Sequence, residues 1–303
     1  MKSIRVFASA LVALAIAGPA LAGQSGFAFL EVPAGARAAA MGGAYTSVAR
    51  GAEAAFWNPA GLADFTGTQF TATHTETFEN LRHEQVAIAG RHFGGGLAAS
   101  LRAMYSEPIA ERDDLGNLVG SFGSHDLEFL LGYGRTLAGG MSVGLTAQTV
   151  RERIADLAAQ TWAVNAGAAM NVKALANARA SLSVHHLGPA AHYRIGGVDG
   201  QAVRLPLAAQ AGLSFTHEVR GLTGLLALES RATRGRQGIF AVGGELDAPA
   251  GAALRFGYRQ GDDNSTWSAG AGWRTGGLRV DYAFVPSRLA LDDTHRFTLS
   301  AAF

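Results

Sequence analysis

Met141-Ser142-Val143-Gly144-Leu145-Thr146-Ala147-Gln148 alternates apolar with small or polar side chains without a break. A period of two belongs to an extended strand, whose successive side chains leave on opposite faces. The same period recurs along the chain. Leu207, Ala209, Ala211, Leu213 and Phe215 interleave with Gln210, Gly212, Ser214 and Thr216. Leu278, Val280, Tyr282 and Phe284 interleave with Arg279 and Asp281. The last segment sets Phe297, Leu299, Ala301 and Phe303 against Thr298 and Ser300.

Fourteen such strands are predicted, at 67–75, 83–93, 96–106, 124–135, 140–152, 160–172, 178–188, 203–216, 221–231, 236–247, 251–260, 265–274, 278–286 and 293–303. Even-to-odd links are tight, as at Gly94-Gly95 and at 275–277, whereas 107–123 and 189–202 are long and polar. Short turns at one end and long loops at the other are the asymmetry of a membrane barrel. An even strand count also lets the last strand pair with the first, leaving no edge.

The polar face carries Arg102, Glu128, Gln148, Asn165, Gln210, Arg255, Arg274 and Asp281. In a soluble sandwich this set would meet solvent; in a membrane barrel it lines the lumen while the apolar set meets lipid. Three observations favour the barrel. Its strands are longer than the five or six residues usual in soluble sheets. Trp267 and Trp273 share one face of one strand, ~20 Å apart at the rise of an extended chain. That matches the spacing of two aromatic girdles around an apolar band. Phe303 ends the chain on the outward face of its final strand. The expected fold is an all-β, 14-stranded antiparallel transmembrane β-barrel over 67–303.

The residues before the strands read differently. Lys2 and Arg5 precede an apolar run over 6–17, then Gly18-Pro19 and a small-residue site at Ala20-Leu21-Ala22. This is the pattern of a cleaved secretory signal peptide, 1–22. Downstream no run approaches the ~20 apolar residues of a spanning helix. Residues 23–66 are rich in small side chains: 36–41 and 52–56 favour short helices, Gly42-Gly43 stops the first, and Asn58-Pro59 makes a turn. They predict a short N-terminal helical plug entering the barrel from the periplasmic end.

Composition narrows the functional classes. The 303 residues carry a net charge of +1 and only 16% charged residues, so there is no case for nucleic acid. With no cysteine, disulfides, thiolate metal sites and thiol nucleophiles are excluded. No cofactor is expected. Asp262-Asp263-Asn264-Ser265 and Asp292-Asp293 lack a full calcium-loop pattern and read as solvated turns. Arg231, Arg234 and Arg236 form a basic cluster read as an outer solubilising loop, with anionic lipopolysaccharide as the rival partner. His185, beside Ser183 and Ser181 on one face, suggests a base near a nucleophile, but no orienting acid is identifiable. His186 should point the opposite way. The chain is read as no enzyme.

The stretches Pro-Ala-Gly-Ala-Arg-Ala-Ala-Ala-Met-Gly-Gly-Ala-Tyr at 33–45 and Phe-Trp-Asn-Pro-Ala-Gly-Leu at 56–62, with the segments 281–286 and 294–303, resemble the PorV/PorQ family. That family is related to FadL-like long-chain fatty-acid transporters. The resemblance implies a fourteen-stranded barrel with a plug, in which Gly35, Arg37, Gly42 and Gly43 belong to the plug motif. Asn58, Pro59 and Ala60 would form the plug turn, and Phe303 the signal read by the barrel-assembly machinery. It further implies an outer-membrane location among lipid and a gated passage for a hydrophobic small-molecule ligand. The alternative it carries is a scaffold for secreted-protein partners, as in type IX secretion.

Overall fold

The computed structural model describes residues 25–77, 81–175, 177–195, 198–289 and 292–303; the signal-peptide reading of 1–22 lies outside them. Fourteen antiparallel strands form the wall: β1 (Thr68–Glu76), β2 (Arg82–His92), β3 (Gly95–Tyr105), β4 (Ser124–Thr136), β5 (Met141–Ile154), β6 (Leu157–Asn171), β7 (Ala178–Leu187), β8 (Ala208–Val219), β9 (Leu222–Thr233), β10 (Ile239–Asp247), β11 (Ala252–Gln260), β12 (Trp267–Thr275), β13 (Leu278–Val285) and β14 (Thr294–Ala302). Each pairs with its sequence neighbour, and β1 pairs with β14 from Gln69↔Ala302 to Glu76↔His295. The ring is closed. Phe303 and Thr68 exchange backbone hydrogen bonds of 2.9 and 3.1 Å at the seam.

Turn chemistry sets the two ends apart. Phe93-Gly94 and Arg220-Gly221 are two-residue turns with positive φ at both positions, the backbone twist that suits a tight hairpin. At the opposite end the long connections hold structure of their own. The β3–β4 loop forms a hairpin of Ile109–Arg112 with Leu118–Phe122. The β7–β8 loop forms another, Ala191–Ile195 with Val198–Val203, which joins β6 through Arg194↔Ala158. The strand expected to start at 203 therefore begins at Ala208: Val203 is committed to that hairpin.

The two faces of the wall sort as the alternation requires. Leu131, Leu145, Phe256, Phe297 and Leu299 stand exposed on the outside. A continuous apolar girdle of this kind is untenable in water and is satisfied by hydrocarbon. Trp267 and Trp273 lie outside, 41% and 51% exposed, at the two ends of β12. Trp267 leans on Phe284 at 5.9 Å between ring centroids, level with the long loops.

Replacing Leu131 by Arg places a guanidinium in the middle of this girdle and should cost ~2–4 kcal/mol of folding free energy in phospholipid vesicles. The measurement is reversible urea unfolding. An unchanged midpoint would show that lipid does not touch this face.

Candidate functional site: the plug and its chamber

Residues 25–66 run through the inside of the barrel. Two short helices, α1 (Ala36–Ala40) and α2 (Ala54–Trp57), are joined and followed by 3-10 turns at Gly51–Glu53 and Pro59–Asp64. Gly42 and Gly43 end α1 with φ of 66° and 78°, a conformation in which glycine avoids the Cβ clash.

The described part of the segment begins beside the long loops and ends at the short-turn end, where it continues into β1. Ser25 bridges to Arg204, and Gly26 N–H donates to Arg204 O at 3.0 Å, beside the long β7–β8 loop. Glu31 accepts from Arg236, in the β9–β10 loop, at 3.2 Å. At the far end of the segment Asp64 accepts from Ser142 at 2.8 Å, next to the β4–β5 turn. The segment thus threads the lumen from the long-loop end and leaves by the short-turn end, where β1 begins. With Phe27 and Phe29 as its first buried side chains, the start of the segment is anchored by apolar contacts at the outer end.

Polar groups on the wall satisfy the plug backbone, which has little regular structure to satisfy itself. Gly35 N–H donates to Gln85 at 3.2 Å, and Ala36 N–H to Thr298 at 2.8 Å. Tyr45 and Thr46 N–H both donate to one Glu229 oxygen, at 2.9 and 2.8 Å. Ser268 Oγ accepts from Gly42 N–H and donates to Ala40 O, each at 3.1 Å. Asn58 caps the turn that follows it through Oδ1 to Ala60 N–H at 3.0 Å, and its amide reaches Thr46 O and, on the wall, Ala168 O. Pro59 and Ala60 are buried beside it.

Glycines on the inner face make room for this backbone. A Cβ on Gly144 would lie 2.2 Å from Pro59 O, and one on Gly257 would lie 2.0 Å from Gly42 N. Gly96 and Gly134 meet the backbone oxygens of Leu62 and Pro59 in the same way, and Gly167 makes room for the Asn58 side chain. Part of the chain's glycine excess is the track on which the plug lies.

One charged network fastens plug to wall. Arg37 reaches Glu245 through both Nε and Nη2, with Nε 2.7 Å from Oε2. Arg255 Nε donates to the same carboxylate at 2.5 Å and its Nη2 lies 2.9 Å from Asp281. Arg279 bridges Asp281 at 2.9 Å and Glu245 at 3.4 Å. Arg37 also touches Tyr45, whose hydroxyl donates to Glu53 at 2.6 Å. A second pair, Arg102 and Glu128 at 3.0 Å, sits under the outer part, where Arg102 donates to Leu30 O and lies over the Phe56 ring.

Of the polar set read from the alternation, Arg102, Glu128, Gln148, Asn165, Gln210, Arg255 and Asp281 are buried inside. Asn165 donates to Gln148 and Thr146 at 2.7 Å, and Gln210 accepts from Thr46 at 2.7 Å. Arg274 is different. It keeps inward parity opposite Arg279 but sits at the last turn of β12 and is exposed. Period two gives the side of the sheet, not the depth.

Two further readings are corrected. Arg231, Arg234 and Arg236 are not a free outer cluster. Arg231 lies over the Trp57 ring beside Glu229, Arg234 donates to Leu205 O, and Arg236 holds Glu31. His185 and His186 do not diverge. A bulge between β6 and β7, with His186 at φ 59°, brings the two rings to 5.9 Å. His185 contacts Ser183 at 2.9 Å and His186 Nδ1 faces Pro206 O at 3.0 Å. Among the described residues no carboxylate bonds to either imidazole. The acidic stretches act as turns: Asp262 accepts from Asn264 N–H and Asp293 from Ser287 N–H, both at 2.9 Å. Among the described residues no trio of His, Asp or Glu could hold a metal.

Between the middle of the plug and the long loops lies a packed apolar cluster, called the chamber below for its place in the lumen. Phe27, Phe29 and Leu30 occupy it, against Met104, Val150, Ala163 and Leu205. Tyr193 of the loop hairpin closes one side and donates to Glu152. Burial and this carboxylate keep its hydroxyl above the ordinary tyrosine range. The chamber was missed in the sequence because Met104 and Val150 stand on polar strand faces. On the lipid side of β8–β11, a groove of about 550 Å³ runs past Gly224 and Gly244, with Glu245 and Arg255 behind it.

A model of an uncharacterised protein family, UPF0164, matches residues 5–144. A UPF0164 protein of Treponema pallidum (strain Nichols) is 33% identical over 75 residues, which are 25% of this chain; the match spans about a quarter (23%) of that relative's length. Solved structures extend the likeness to the whole wall. The toluene transporter TodX of Pseudomonas putida is similar with a TM-score of 0.60 at 12% identity, over 89% of this chain and 98% of that one. The CymD monoaromatic hydrocarbon channel gives 0.57 at 12%, over 90% and 98%. A FadL homologue of Pseudomonas aeruginosa gives 0.51 at 13%, over 88% and 97%. At these identities the likeness is one of fold.

Two variants probe how the plug is held. Arg37→Met removes a charged hydrogen-bonding partner worth about 2–3 kcal/mol and should raise the population with a loosened plug by more than about tenfold. The chain has no cysteine, so a single Ser47→Cys, buried on the plug, reports this as its rate of labelling by a water-soluble maleimide. Equal rates with and without Arg37→Met would remove the latch role. Gly144→Val should displace the Pro59 turn and raise the same labelling rate, whereas Ala147→Val, on the outer face of the same strand, should leave it unchanged.

Proposed function

We propose that this protein is an outer-membrane, FadL-like passage for hydrophobic small molecules, gated by its own N-terminal segment. The observation that carries the reading is the apolar cluster inside the long-loop end, in which Phe27, Phe29 and Leu30 pack against the wall. An apolar ligand entering there would take the place of side chains that only the start of the plug supplies. The segment that must then move is tied to the wall by the Arg37–Glu245 and Glu229–Tyr45/Thr46 contacts. These are separate from the wall's own ladder, so the plug can shift while the barrel stays closed. Solved channels of the same fold, described as carrying toluene and other monoaromatic hydrocarbons, support this substrate class.

The passage is gated, not open, because plug backbone lies against the inner glycines across the lumen. Asn58, Pro59 and Ala60 form the fixed foot of the plug, near the short-turn end, and Gly35, Arg37, Gly42 and Gly43 its middle. Phe303, at the β1–β14 seam, is exposed outward, where the barrel-assembly machinery could read it. The PorV-like alternative, a membrane-held scaffold for secreted proteins, would use the loops and not the chamber.

Uptake of labelled toluene and of a labelled long-chain fatty acid, by cells with and without the gene, tests the reading. Expression should raise the uptake of one of them, and Phe29→Ala should change that rate. Equal uptake in all strains, together with co-purification of secreted proteins, would favour the scaffold.

A further inference from the structure

The outer surface at the long-loop end is not uniform. On β11–β14 it is aromatic, with Tyr258, Trp267, Phe284 and His295. On β2–β6 it is cationic. Arg153 stands opposite His125, which stands opposite Tyr105, which stands opposite Arg82. Arg151 lies one step nearer the membrane on the face of Arg153, between Leu127 and Gln160. Outward parity follows from the buried partners on the same strands, Asp126, Gln148 and Val150. Arg194 of the β7–β8 hairpin, opposite Ala158 as Arg153 is, extends this row and pairs with Asp199 at 3.1 Å.

Their partners differ in a way that matters. Arg82 is taken by Glu107 at 3.2 Å. Arg153 donates to Ala155 O at 3.0 Å and keeps its other donors, while no carboxylate pairs with Arg151 or Arg153 among the described residues. The neighbouring acids on these strands, Asp126 and Glu152, point inward, and Tyr193 holds Glu152. Asp156 in the adjoining turn pairs with neither arginine. Directly beneath lie Leu127, Phe129 and Leu131, each close to half exposed. Two exposed guanidiniums ~7 Å apart along one strand, with a histidine opposite, therefore overhang an apolar wall.

We propose that Arg151 and Arg153, with His125 and Gln160 at their sides, bind the phosphate of a phosphorylated glycolipid whose acyl chains lie on Leu127, Phe129 and Leu131. The forked guanidinium suits a phosphate oxygen pair, and being weakly hydrated it gives up water readily. Charge alone would also suit an acidic protein segment. The continuity of the cations with the apolar girdle favours a ligand that is anionic at its head and hydrocarbon below. The site is on the outer surface, independent of the chamber and of the passage reading.

The test uses the purified full chain in nanodiscs, titrated with a diphosphoryl glucosamine-disaccharide lipid and its dephosphorylated form, with bound lipid counted by native mass spectrometry. The phosphorylated lipid should bind saturably. Arg151→Gln with Arg153→Gln should weaken it roughly thirtyfold, the loss expected for two basic residues at an anionic surface. Arg135→Gln, an outward arginine at the short-turn end, should have no effect. Equal binding by the double variant, or of the dephosphorylated lipid, would overturn the proposal. So would full competition by inorganic phosphate at the same concentration as the lipid, which would mark a simple anion site.

Discussion

The pairing of β1 with β14 decides what every other residue must do. Once the ladder closes, no strand edge is left to satisfy, and the outer face is free to be purely apolar. Every polar side chain on the wall must then lie inside or at a rim. The inside of a fourteen-stranded ring is wide enough that side chains from the wall alone do not fill it. The remaining space is taken by chain, and that chain is the N-terminal segment.

A segment with two short helices and several tight turns brings many unpaired N–H and C=O groups into a confined space. The wall answers with single polar side chains aimed at named backbone groups: Gln85, Glu229, Ser268 and Thr298. Where plug backbone comes too close for any side chain, the wall carries glycine. Most of the charge comes in as a network, with Arg37, Arg255 and Arg279 around Glu245 and Asp281, beside the Arg102–Glu128 pair, while Arg296 is held by the neutral oxygens of Thr75 and Pro33. An isolated ion at this depth would be costly, whereas paired ions specify one position of the plug.

The two ends of the segment are held differently. The foot of the plug, from Asn58 to Asp64, is bound by backbone contact with inner glycines and by Asn58 itself. Its outer start is held mostly by apolar side chains in the chamber and by the Glu31–Arg236 pair at the rim. Apolar contacts are non-directional and can be exchanged for those of a ligand; the directional contacts at the foot cannot.

The alternation around residues 141–148, repeated from strand to strand, determined the wall on its own: strand number, order, and the side each residue faces follow from a period of two and from turn lengths. The inward burial of Arg102, Glu128, Gln148, Asn165, Gln210, Arg255 and Asp281 was legible for the same reason. Depth and partnership were not. Arg274 shares the inward parity yet is exposed, the His185–His186 bulge breaks the period, and Arg231 turns to Trp57 in place of solvent. The path of residues 25–66 depends on contacts with strands more than 200 positions away, such as Ala36 with Thr298. A local pattern records which face a side chain takes; only the closed ring brings together the distant groups that decide what lies across from it.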